Sequence, residues 1–80
     1  MNDTEILQQI DKMVKEEHTL TAQSHIGGLN DGEHKRLQEL EVSLDQCWDL
    51  LRQRRALRSA HLDPNEAKVR DANTVEHYKQ

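Results

Sequence analysis

The sequence predicts an all-α fold: an antiparallel helical hairpin with a short, partly helical C-terminal extension, paired with a second copy into a homodimeric four-helix bundle. Three observations lead there. Leu37, Leu40, Leu44, Cys47 and Leu51 recur at steps of three and four, the spacing of one helical stripe. The glycines, Gly27, Gly28 and Gly32, fall in one stretch, which marks the turn. The chain is also short of large apolar side chains: 34% of its 80 residues are hydrophobic, Phe is absent, and Trp48 and Tyr78 are the aromatics. A core that poor is marginal for one isolated domain, so a second copy or a partner is the natural source of further burial.

The first helix is expected over about residues 4–22. Asn2, Asp3 or Thr4 can cap it, and Glu5 sits favourably in its first turn. Ile6, Ile10, Met13 and Leu20 share a stripe that Leu7 and Val14 widen on one side. Glu17 falls within that stripe and reads as a solvated position near the helix end, since carboxylates are seldom buried without a partner. From Thr21 to Gly32 the pattern breaks, so a loop is placed over about 23–30, with Ile26 and Leu29 tucked onto the helix ends. Asn30, followed three residues later by Glu33, reads as a capping box.

The second helix is expected over about residues 31–60. Its run LQELEVSLDQCWDLLRQRRALR, from Leu37 to Arg58, has neither Gly nor Pro and is rich in good helix formers. Laid antiparallel, the two stripes bring Ile10 near Cys47, Ile6 near Leu51, and the acidic start of the first helix near Arg54 and Arg55. Leu7, Val14 and Trp48 lie on flanks that one hairpin leaves wet and a two-fold pair of hairpins covers. The extension, 61–80, opens on Asp63-Pro64-Asn65-Glu66, a helix-start signal. Asp71 can cap a further turn holding Val75 and Tyr78. Turns this short hold only when docked, here through Val69, Val75 and Tyr78, and the part of the long helix overhanging the first is the expected place.

Composition narrows the function classes. The net charge is −4, which gives no overall footprint for nucleic acid. The polar, acidic start is not that of a signal peptide, no apolar run approaches the length of a membrane span, and a single cysteine makes no intrachain disulfide. These features point to a cytoplasmic protein without a membrane segment.

No motif of catalysis is found: there is no nucleophile elbow, phosphate loop or dinucleotide fingerprint. Cys47 lies on the apolar stripe and reads as a small buried hydrophobe, with Asp45 and Asp49 nearby to raise its pKa. His18, His25, His34, His61 and His77 lack the i, i+4 pairing of a helical metal site, and there is no CxxC, so they read as exposed polar residues. A metal or small-anion site built from Glu17, His18 and the arginines is the minor alternative, and no cofactor is expected.

What remains is interaction. Leu44, Cys47, Trp48 and Leu51 form the candidate apolar surface, and Arg52, Arg54, Arg55 and Arg58 a basic one. Trp48 reads as an interface anchor, toward a second copy or toward a different protein. The arginines complement the helix C-terminus and the acidic residues Asp3, Glu5, Asp63, Glu66 and Asp71. The preferred reading is therefore a non-enzymatic protein-interaction or oligomerisation module. The alternative is a hairpin dimer binding RNA or DNA through the Arg52–Arg58 surface.

Three segments carry a family resemblance: LEVSLDQCWDLLRQRRALR from Leu40 to Arg58, DPNEAKVR from Asp63 to Arg70, and the closing VEHYKQ. Together they resemble a family of short actinobacterial proteins catalogued as a domain of unknown function, number twenty-six thirty. The resemblance covers nearly the whole chain and is most specific in LDQCWDLLRQRRA. Asp45, Gln46, Trp48, Arg52, Arg54 and Arg55 match the family's run. In the family the second helix usually starts Ser-Pro-Glu-Glu, where this chain has Asn30-Asp31-Gly32-Glu33. The resemblance implies a cytoplasmic protein and brings no activity, cofactor or catalytic residue with it.

Overall fold

A computed structural model describes residues 2–76 of the chain. Helix α1 (Asp3–Ile26) and helix α2 (Asp31–Ser59) form an antiparallel hairpin; a single 3-10 turn (Pro64–Glu66) and a short helix α3 (Ala72–Glu76) make the extension. His77 and Tyr78, to which the sequence assigns an exposed and a docking role, lie outside the described residues.

Both long helices start the same way. The Glu5 N–H donates to Asn2 Oδ1 at 2.9 Å and the Asn2 N–H to Glu5 Oε1 at 3.1 Å; Asn30 and Glu33 repeat the exchange at 2.8 and 3.1 Å. Each box satisfies two backbone donors that a helix start leaves open. Because Asn2 takes the cap, Asp3 enters the first turn and is free to face α2.

α1 runs four residues beyond its expected end, to Ile26, and the loop shrinks to Gly27–Asn30. Residues 21–26 are all exposed, so no apolar stripe marks them as helix, and Ile26 stands 89% exposed rather than tucked against a helix end. The helix stops where Gly28 turns left-handed at φ 78°, a conformation glycine adopts without strain. α2 closes differently. The Leu62 N–H donates to the Leu57 carbonyl and the His61 N–H to that of Arg58, a Schellman pairing. It places His61 at φ 61°, where glycine is the usual occupant.

The core is narrow. Ile6, Ile10, Leu44, Leu50 and Leu51 form its buried cluster, with Met13, Val14, Cys47 and Ala67 packed against it. Leu20 and Leu40 are buried nearer the loop. Among the described elements, α1, the 3-10 turn and α3 each pack on α2. α2 therefore has two covered sides, α1 along one and the extension along another, which accounts for the burial of Leu50 off the main stripe.

At about 1.5 Å per residue, α1 (24 residues) and α2 (29 residues) span about 36 and 43 Å. Little of α2 overhangs. The extension docks beside the hairpin instead, turning back from His61 so that Arg70 reaches Gln46. No helix among the described residues is long and apolar enough to cross a membrane.

Candidate functional site

The basic end of α2 divides into inward and outward arginines. Arg54 is 6% exposed. Its Nε donates to Asp3 Oδ1, and its Nη1 to the Pro64 carbonyl at 3.2 Å and to Asn65 Oδ1 at 3.0 Å. One guanidinium thus ties the start of α1, the end of α2 and the 3-10 turn together, which withdraws Arg54 from the surface. Arg58 Nη2 donates to the other Asp3 oxygen at 2.7 Å. The acidic start of α1 meets this end of α2 as the hairpin register predicts, but Arg54 and Arg58 make the pairing where the sequence placed Arg54 and Arg55. Arg55 is exposed, pointing away from that seam.

Two guanidinium groups on one carboxylate favour its ionised form and push Asp3 from an ordinary value near 3.8 down to about 2. The folded-state value is depressed, so the stability it brings is complete above the unfolded value and is lost as pH falls through the folded one. Acid titration of the fold should therefore show a loss of stability between about pH 4 and pH 2. Asp3→Asn should flatten that step in urea melts taken across the window. A step of unchanged size in the variant assigns it to another carboxylate.

A second polar cluster holds the extension, and the sequence reading passed over it. Asp49 is 1% exposed in the middle of α2. Its Oδ2 accepts from Gln53 Nε2 at 2.9 Å and pairs with Arg70 Nε at 3.0 Å. Gln53 also donates to the Lys68 carbonyl at 2.7 Å and accepts from the Lys68 N–H at 3.4 Å, reading both backbone groups of one residue. Gln46 Nε2 donates to the Arg70 carbonyl at 3.1 Å. The available signal was the spacing: residues 46, 49 and 53 follow the three-and-four step of a stripe, here a polar one. α3 is started by Asp71, whose Oδ1 accepts from the Thr74 N–H and hydroxyl, and it brings Val75 into the core.

The third side of α2 is open. Trp48 is 44% exposed, and Leu7 on α1 is 48% exposed. A shallow groove beside Trp48 is lined by Val14, Glu17, Glu41, Leu44 and Asp45. Leu44 and Leu51 themselves are buried against α1. Of the candidate interaction residues, Trp48 and Arg55 are therefore outward and Arg52 half-buried, while Leu44, Leu51 and Arg54 serve the interior. Cys47 is half-buried against the core, and burial pushes its thiol up, away from the thiolate that a nucleophile needs. The cause is desolvation, where the sequence pointed to Asp45 and Asp49. Among the described residues no group of three or more His, Cys, Asp or Glu side chains stands close enough to hold a metal ion.

Comparison with known proteins agrees in extent and is silent on role. A family model described as "Protein of unknown function (DUF2630)" matches residues 2–80. The uncharacterized proteins Rv0898c of Mycobacterium tuberculosis and Mb0922c of Mycobacterium bovis are each 52% identical over 77 residues, covering 95% of this chain and 88% of the relative. No solved structure matches.

Proposed function

We propose for this chain, which belongs to the DUF2630 family of proteins of unknown function, a non-enzymatic role as a cytoplasmic oligomerisation module that pairs with a second copy of itself. The observation that carries the reading is the open side of the hairpin. Trp48 and Leu7 are large apolar side chains left near half exposed, with Val14 between core and groove. The other flank of α2 is already strapped by the extension, which leaves the Trp48 side of this helix open to a docking partner. Burying a tryptophan flanked by aliphatic side chains is the usual anchor of a helical interface.

The nucleic-acid reading draws no support from the arrangement of the arginines. Arg54 and Arg58 share the carboxylate of Asp3, which cancels part of the charge that a phosphate backbone would need.

Trp48 is the chain's sole tryptophan, so its fluorescence reports on this face alone. Emission should shift to the blue as protein concentration rises, in step with dimer formation in sedimentation velocity. Trp48→Ala should weaken the dimer about 30-fold or more, since truncating a central aromatic anchor typically costs about 2 kcal/mol or more. A variant that dimerises like the parent would remove Trp48 from the interface, and a parent that stays monomeric at high micromolar concentration would end the reading.

A further inference from the structure

Resting on that self-association, we infer its register: the two-fold axis passes beside Trp48, perpendicular to α2, so that the α2 helices of two copies run antiparallel and Arg55 of each faces Glu41 of the other. Glu41, Trp48 and Arg55 are seven residues apart. Seven residues are nearly two full turns, so the three share one outward stripe, with a charge about 10 Å to either side of the tryptophan. Glu41 and Arg55 are both exposed. Their signs are opposite and their distances from Trp48 equal.

That arrangement is self-complementary in one sense only. Turning a second copy end for end about Trp48 lays each positive end on a negative one, twice by symmetry. Setting the two α2 helices parallel would lay Arg55 on Arg55 and Glu41 on Glu41, with repulsion at both ends. Asp45 and Arg52 repeat the polarity closer to the tryptophan. The antiparallel two-fold also buries Trp48 beside its own copy, the central position at which an aromatic anchor is most fully desolvated.

The test is an exchange of charges in the full-length chain. Arg55→Glu and Glu41→Arg should each weaken the homodimer about tenfold or more at low ionic strength, because each puts like charges at both ends. Helix content by circular dichroism should not change, since both side chains are exposed. Mixing the two variants should give a one-to-one heterodimer, resolved by mass in native mass spectrometry, because both end pairs are then opposite in sign. The double variant should return to parental affinity. If the parent dimerises but the single variants dimerise as well as it does, or the mixture does not pair, this register is overturned and the self-association reading stands. A monomeric parent overturns both.

Discussion

Replacing Arg54 by alanine is expected to lower the stability of the fold by about 2–4 kcal/mol, somewhat less than breaking a fully buried pair costs, because Asp3 is a third exposed. For a chain of this size that corresponds to a fall in Tm of about 10–20 °C. The reason lies in what the guanidinium joins. Its three acceptors are Asp3 at the start of α1, the Pro64 carbonyl and the Asn65 side chain. Arg54 therefore bonds both the hairpin's N-terminal end and the 3-10 turn. Alanine leaves the Asn65 amide and the Pro64 carbonyl without that donor and opens a void beside Leu50 and Ala67, which line the same hollow.

Arg54→Lys separates charge from geometry. An ammonium on a single stem keeps the attraction to Asp3 but lacks the planar fork that reaches three acceptors in different directions. It should recover about half of the loss. Arg58→Ala is the control: its side chain is 43% exposed and makes one bond, to a carboxylate that Arg54 still holds. Solvent screens such a pair, so its removal should shift the urea midpoint far less. Equal effects from Arg54→Ala and Arg58→Ala would mean that the buried fork contributes no more than an ordinary surface pair.

Much of this organisation is legible before any coordinates. The hairpin follows from two stripes and a glycine-rich break, and its register from the approach of Asp3 to Arg54. The Asn30–Glu33 box and the Asp63-Pro64 start both stand where the sequence places them. The end of α1 was not legible, because a helix exposed on all sides from Thr21 to Ile26 has no apolar period to read. The strap was not legible for a different reason. Lys68 and Arg70 meet Gln53 and Gln46 through their backbone groups, which leave no side-chain pattern at a distance of 15 to 24 residues. The Arg70–Asp49 pair is one charge match among many that the sequence allows. Leu50 was missed with them, since a residue buried by the strap need not lie on the stripe facing α1.

The strap and Leu50 share a cause. Read from sequence, α2 has an apolar stripe and a flank carrying Trp48, whereas the helix has three distinct sides. One meets α1, one holds the extension through polar side chains, and one presents Trp48 between Glu41 and Arg55. A polar stripe that is covered and an aromatic that is uncovered both run against hydropathy. The covered stripe has its explanation inside the chain. The uncovered side does not, which is why the functional reading centres on it.

The strap itself yields the other large expected effect. Asp49→Ala should release the extension while leaving the hairpin folded. The carboxylate is buried and accepts from Gln53 and Arg70. Without it, the docked state loses the one buried carboxylate that both Gln53 and Arg70 meet, while the undocked state loses nothing. Loss of such a bond costs about 2 kcal/mol, which raises the undocked fraction ~30-fold. Trypsin reads that fraction. To be cut after Lys68, the chain must first give up both backbone bonds between Lys68 and Gln53, since a protease binds the substrate backbone in extended form. When docking and undocking are fast relative to cleavage, the rate follows the undocked population. Cleavage after Lys68 and Arg70 should therefore speed up ~30-fold in Asp49→Ala, with helical circular dichroism nearly unchanged. Asp49→Asn keeps the volume and one acceptor but not the charge, and should fall between the two. Gln46→Ala removes a single exposed bond to the Arg70 carbonyl and should have a minor effect. If the Asp49→Ala chain is cut no faster than the parent, Asp49 is not what fastens the extension.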